Sequence, residues 1–188
     1  MQARAVPSTV IDEPPIDPIV ALVHQGRHRE ALAACARDHA QLHGRLCMTM
    51  LGSQADADEA LQETLLRADR AMPSYRGEGT IKAWLCGIAR HVCAHTLESR
   101  RKGRELAELV VVPDENSQPF ENHQIARALR AALDQLKPSE RDVLVLRYVA
   151  DLSHREIAVA CNLDEAAARK RISRALARLR SVLPGDFQ

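Results

Sequence analysis

The chain has 188 residues, 46% hydrophobic and 27% charged, with 26 Lys+Arg against 25 Asp+Glu. That length supports one or two small domains with real cores. No apolar run nears the roughly 20 residues that cross a bilayer, and the start lacks a signal-peptide pattern, which predicts a cytoplasmic chain with no membrane insertion of its own. One Trp, two Tyr and two Phe are the only aromatics, so the cores must be Leu, Ile, Val and Ala, a composition that favours helices over sheets.

Residues 1–17 hold Pro7, Pro14 and Pro15 with no apolar period, and a disordered extension is expected there. A short helix is expected from Pro18 to Gln25, stopped by Gly26. A longer one runs to Leu51, with Leu32, Ala36, Ala40, Cys47 and Met50 on one stripe and Gly52 at its end. Ser53 with Asp56 three residues on reads as a capping-box-like start. The helix it opens carries a stripe of Leu61, Leu65, Ala68 and Met72 and is strongly acidic, with Asp56, Asp58, Glu59, Glu63 and Asp69 against Arg67 and Arg70. Asp58, Glu59, Gln62, Glu63 and Arg67 are expected to face outward, and Pro73 closes the helix.

Ser74 to Gly79 is a loop with two glycines, and Thr80 can cap the helix beyond it. There Trp84, Leu85, Ile88 and Val92 form the expected buried face, with Lys82, Arg90, His91 and Arg101 left available. The stretch from Arg76 to Arg104 is basic, which suggests nucleic acid here and a basic protein partner for the acidic helix before it. A first domain is therefore expected over 18–102, followed by a proline-bearing acidic linker over 103–122. Its Leu109–Val112 run is expected to be sequestered, because four apolar residues on a tether invite association.

The second domain is expected over 123–183, with a tail at 184–188. Ile125, Leu129, Ala132, Leu133 and Leu136 recur at helical spacing; Ser139 is expected to cap a helix carrying Val143, Leu144, Leu146 and Tyr148. Ser153 with Glu156 is a capping box, Asn162 makes a turn, and Asp164 caps a last helix whose stripe is Ala168, Ile172, Ala175, Leu176 and Leu179. A short helix, a tight turn and a basic helix have the form of a helix-turn-helix, whose second helix enters the major groove. Opposite the stripe stand Arg169, Lys170, Ser173 and Arg174, suited to base edges, since an arginine fork can bond O6 and N7 of guanine together. Arg171, Arg178 and Arg180 point elsewhere and suit phosphates.

Asp56–Ala68 resembles the polymerase-docking helix of extracytoplasmic-function (ECF) sigma factors of bacterial RNA polymerase. Tyr75-Arg76-Gly77-Glu78 with Trp84-Leu85 and Ile88-Ala89-Arg90 is similar to that family's −10 loop and helix. Leu136–Arg141, Leu152–Ala158 and Arg169–Ile172 resemble its −35 domain. The resemblance implies an all-α fold of two small helical domains joined by a flexible linker. It implies that Asp56, Asp58, Gln62, Glu63 and Arg67 meet core RNA polymerase (its largest and second-largest subunits being the partners), that Ser74, Tyr75, Arg76, Gly77, Glu78, Gly79 and Thr80 capture a flipped −10 base, and that Lys82, Arg90 and His91 hold the melted strand. Arg169, Lys170, Ser173 and Arg174 would read the −35 duplex of promoter DNA. An anti-sigma factor is an expected partner. No cofactor is implied, and nucleotide addition belongs to the core enzyme.

The five cysteines are unclustered and read as reduced thiols. Cys35, His39, His43 and Cys47 repeat every four residues, but Cys35 and Cys47 face about 120° apart and about 18 Å along a helix axis, so all four cannot bind one ion. No metal site is expected; the cysteines read as small buried filler and the histidines as polar-face residues. Cys86, His91, Cys93 and His95 are read the same way. No phosphate loop, nucleophile–base pair or carboxylate dyad points to an enzyme. The other reading is a stand-alone helix-turn-helix regulator of transcription, gated by metal or redox at the first domain.

Overall fold

A computed structural model of the chain describes residues 17–106 and 121–183. Among them there are eight α-helices and no strand: α1 (Pro18–His24), α2 (His28–Leu51), α3 (Gln54–Ala71), α4 (Ile81–Leu106), α5 (Glu121–Asp134), α6 (Pro138–Tyr148), α7 (His154–Cys161) and α8 (Glu165–Val182), with a 3-10 turn at Met72–Ser74. The expected extension over 1–16, the Leu109–Val112 run and the tail lie outside the described residues. No described helix is long and apolar enough to cross a membrane.

Local capping chemistry sets most helix starts. The side chains of Ser53, Ser153 and Asp164 each accept a hydrogen bond from the backbone N–H three residues on, satisfying a donor that the helix itself cannot. Asp17, expected in the disordered extension, instead caps α1 through Ile19 N at 2.8 Å. Helix α6 starts two residues earlier than expected: Pro138 takes the first position, where its missing N–H costs nothing, and Lys137 rather than Ser139 is the cap. Helix α4 continues through Gly103 to Leu106, because a single glycine is outweighed by the strong helix formers around it.

Packing departs from the expected stripes where size and proximity disagree. In α3 the buried residues are Ala57, Ala60, Thr64 and Ala68, while Leu61 and Leu65 are half-buried. Small side chains let α3 approach α2 and α4, and the leucines fill the flanks. Thr64 stays satisfied by donating to the Ala60 carbonyl at 2.6 Å. In α2 the fully covered positions are Ala31, Ala34, Cys35, His43, Leu46, Cys47, Met50 and Leu51, with Leu32, Ala36 and Ala40 only half-buried. Leu129 and Tyr148, though on the apolar pattern, are 42% and 63% exposed. Helix α5 is covered mainly from the α8 side, and Val143, Leu144, Val145 and Leu146 fill the core in place of Tyr148.

Two apolar clusters result. One joins Ile19, Val23, Cys35, Met72, Tyr75, Ile81 and Leu85. The other runs without a break from Leu46, Cys47, Met50, Cys86, Ala89 and Cys93 into Leu133, Val143, Leu146, Ile157, Ala168 and Ile172. The helices before and after residues 107–120 thus share one core, with α4 packed on α6 and α7.

Candidate polymerase and nucleic-acid surfaces

On α3, Gln62 is exposed, and Glu63 pairs with Arg67 one turn on at 2.6 Å, their side chains 37% and 42% exposed. Asp58 accepts from the Gln54 amide at 2.8 Å. Asp56 turns aside to an ion pair with Arg100 of α4, so only the Ser53 half of the expected capping box forms. Arg100 also donates to the Leu51 carbonyl at 3.2 Å, which locks α4 against the α2–α3 corner. Beside this row Leu66 is 53% exposed. It borders an open groove with Gln62, Glu63, Arg67, Val92 and His95. The sequence reading missed Leu66; a leucine set among charged residues, off the apolar stripe, was the available signal.

The loop after α3 is folded by its own aromatic residue. Tyr75 is buried, its ring 5.2 Å from that of Trp84 and its hydroxyl donating to the Gly79 carbonyl at 3.0 Å. Gly77 and Gly79 adopt φ of 74° and 87°, which glycine alone takes without strain. Ser74, Arg76, Gly77, Glu78, Gly79 and Thr80 remain exposed. Of the seven residues expected to touch a base, Tyr75 therefore holds the loop's shape from within. Tyr75→Phe should lower stability by about 1 kcal/mol, the net worth of one such hydrogen bond, with the ring contact kept; urea denaturation measures it.

Thr80 accepts from Ala83 N at 3.2 Å and so caps α4 as expected. Lys82 and Arg90, expected to be available, are not. Lys82 donates to the Asp151 carbonyl at 3.3 Å, and Arg90 pairs with Asp142 of α6 at 3.0 Å, the two side chains only 15% and 7% exposed. The cause is the docking of α6 and α7 over α4, which local periodicity does not encode. Burial pushes the Asp142 carboxyl up, against the pull of Arg90. Burial and then Arg90 push His91 down; as a neutral ring its Nε2 accepts from Arg90 at 2.8 Å.

In the second half Ser153 and Glu156 complete their capping box, with Glu156 N on Ser153 Oγ at 3.2 Å and Ser153 N on Glu156 Oε2 at 2.8 Å. Asn162 takes the left-handed conformation, φ 52°, that ends α7. Asp164 accepts from Ala167 N at 2.7 Å and starts α8. Ala168, Ile172 and Ala175 face the core. Arg169, Lys170, Ser173 and Arg174 share the exposed side, with Arg169 paired to Glu165 of its own helix. Arg171 is half-buried, Arg178 reaches to 4.0 Å from Glu140, and Arg180 is exposed.

The cysteine–histidine row splits between the two clusters, Cys35 in one and Cys47 in the other. His43 is not on a polar face; it is 2% exposed, with Nε2 3.7 Å from Cys86 Sγ and its ring 6.1 Å from that of His39. The four-residue row drifts round the helix, which turns His43 inward. Burial, with His39 nearby, lowers the His43 pKa to about 4, and burial pushes Cys86 up to about 12. A hydrogen bond with Cys47 and burial push the Cys93 thiol up as well. Among the described residues no three His, Cys, Asp or Glu side chains converge as metal ligands.

Comparison with known proteins follows the same division of the chain. The Sigma-70 region 2 family matches residues 35–103, and the Sigma-70 region 4 family matches residues 126–179. RNA polymerase sigma factor SigV of Bacillus subtilis is 30% identical over 156 residues, covering 81% of this chain and 90% of SigV. The chain belongs to the ECF sigma factor family. ECF RNA polymerase sigma factor SigG of Mycobacterium tuberculosis is 32% identical over 165 residues, which take in 73% of this sigma factor and 45% of SigG, so the chain spans less than half of that longer relative. The fold of this sigma factor is that of CnrH in its complex with the cytosolic domain of CnrY (TM-score 0.65, 21% identity, 87% of this chain and 94% of that one). It is also that of RpoE in complex with the anti-sigma factor NepR from Bartonella quintana (TM-score 0.55, 20% identity, 78% and 94%). In this sigma factor the region 2 match takes in α3 and most of α4, and the region 4 match takes in the helix-turn-helix of α7 and α8.

Proposed function

We propose that the chain is an alternative sigma factor that brings bacterial core RNA polymerase to specific promoters and helps open the −10 region. Residues 18–102 form the docking and −10 module, 123–183 the −35 module, and 103–122 the connection between them. Core polymerase binds at Gln62, Glu63 and Arg67, with Asp58 and Leu66 at the border. The exposed rim of the Ser74–Thr80 loop captures a −10 base, and His91 holds the strand together with Lys82 and Arg90 once these leave Asp151 and Asp142. With few aromatics to wedge bases apart, capture and charge carry the opening. Nucleotide addition is left to the core enzyme, in the cytoplasm, and an anti-sigma protein holds the factor in reserve; RpoE, of the same fold, is bound by one.

The observation that carries this reading is the pairing, in one chain, of an α3 inside the region 2 match that bears an open groove with an α8 that exposes Arg169, Lys170, Ser173 and Arg174 on one side. A stand-alone regulator has no use for the groove. Run-off transcription with purified core enzyme on promoters enriched from the host genome tests the proposal; core-dependent transcripts support it, and DNA binding indifferent to core enzyme overturns it.

The base-reading assignment has its own test. Arg169→Ala or Arg174→Ala should cost about 1–3 kcal/mol of discrimination each and relax promoter choice at the −35 element. Arg178→Ala should instead weaken binding to every sequence alike and flatten its salt dependence. Ranking a promoter library by transcript yield separates the two behaviours, and unchanged ranking in the first pair removes them from the reading set.

A further inference from the structure

Helix α4 lies on α2 along three rungs that ascend together. His43 Nε2 stands 3.7 Å from Cys86 Sγ, Cys47 and Cys93 share a hydrogen bond between their thiols, and Arg100 donates to the Leu51 carbonyl at 3.2 Å. The outer rungs fix the register of the middle one. Passing from His43 to Leu51 on α2 is passing from Cys86 to Arg100 on α4, and Cys47 and Cys93 lie halfway along each. The packing of both helices therefore holds these two thiols face to face, and each is fully buried.

The other cysteines are placed differently. Cys35 belongs to the separate cluster of Ile19, Met72 and Tyr75, and Cys161 is half-buried at the end of α7. Cys86 faces His43, and burial pushes its thiol up to about 12, so it keeps its proton. Cys47 departs from this pattern. The hydrogen bond from Cys93 draws its thiol below the ordinary value, against the effect of burial. The thiolate is the reactive form of a cysteine, and a second thiol already in contact with it supplies the partner that a disulfide needs.

We propose that Cys47 and Cys93 form a modification site, a dithiol that a peroxide converts to a disulfide stapling α2 to α4. In the first step the Cys47 thiolate attacks one peroxide oxygen. The S–O bond forms, the O–O bond breaks, and the departing hydroxide takes up a proton to leave as water. The Cys93 sulfur then attacks the Cys47 sulfenic acid. The S–S bond forms, the S–O bond breaks, and the Cys93 proton leaves with the hydroxyl as a second water. The two sulfurs together lose two electrons, and the two peroxide oxygens gain them. Peroxide, little larger than water, reaches the pair when the helices open locally. The staple closes the chain between residues 47 and 93, a stretch that takes in all of α3 and the loop after it, so the oxidised half unfolds less readily. The site goes beyond the proposed function above and does not depend on it.

The test uses the full chain, reduced with a dithiol, treated in native buffer with hydrogen peroxide, and quenched with an alkylating agent in denaturant. Trypsin cuts after Arg45, Arg67, Arg90 and Arg100, so Cys47 and Cys93 fall in separate peptides that hold no other cysteine. Non-reducing mass spectrometry should find these two peptides joined, with about tenfold more of this pairing than of any other. The linked protein should melt about 5 °C or more above the reduced one and return to the starting value on re-reduction. Cys93→Ala should lose both effects and leave Cys47 as a sulfenic acid that a cyclic diketone traps, whereas Cys47→Ala should give no such adduct at Cys93. Cys93→Ser takes the place of the alanine variant if that one folds poorly. Both thiols recovered alkylated from the treated wild type, a dominant linkage to Cys86, or an unchanged melting temperature in the linked protein overturns the proposal.

Discussion

Glu63→Lys is expected to keep its fold and lose core polymerase. The side chain stands on the outward face of α3, beside the exposed Gln62 and Leu66, and among the described residues its partner is Arg67 of the same helix. Breaking an exposed pair of that spacing costs only about 0.3–0.5 kcal/mol, so the melting temperature should hardly move. At a basic docking surface the reversal removes an attraction and adds a repulsion. Losing one partner of a buried charge pair at an interface costs about 2–5 kcal/mol, at least tens-fold in affinity. Titration of core enzyme with labelled variant, followed by run-off transcription, measures it. If the variant binds and transcribes normally, α3 is not the docking helix.

The second large effect is on stability in acid. His43 has a folded-state pKa of about 4 against an ordinary value of 6.5, because burial excludes its charged form. The sign follows directly. Below 6.5 the unfolded chain takes up a proton that the folded chain refuses, so stability falls as pH drops from 6.5 towards 4 and is steady above that window. The loss across it is on the order of 3 kcal/mol. His43→Leu removes the titrating group from the same apolar site. Urea denaturation of both proteins at about pH 7 and about pH 4.5 should show the wild type losing markedly more than the variant; parallel losses would mean that His43 is open to water.

The helix starts at Ser53, Thr80, Ser153 and Asp164 are legible in the sequence because capping is local: the side chain and the N–H it satisfies lie within one turn. The turn at Asn162 and the exposed face of α8 are legible for the same reason. The α3 stripe is legible only in part: Ala68 and Met72 are buried as expected, but Leu61 and Leu65 are not at closest approach, where alanines stand instead. The availability of Arg90 could not be read either, since its partner Asp142 lies 52 residues away. One signal was present: α4 carries Leu85, Ile88 and Val92, and also Ala83, Cys86, Ala89 and Cys93, an apolar surface too wide for a helix covered on one side. The inward turn of His43 shows the reverse case, a polar residue type placed by the helical phase of its neighbours.

Helix α7 serves two masters. Its Ile157 and Ala158 support α8 from within, while Glu156, Val159 and Ala160 seat it against Thr80, Gly79 and Gly87. A graft that exchanges the helix-turn-helix to redirect such a factor to another promoter therefore exchanges half of this seam as well. The chimera inherits new base contacts together with a different set of contacts at Thr80, Gly79 and Gly87, so how the two halves hold together becomes a property of the joint.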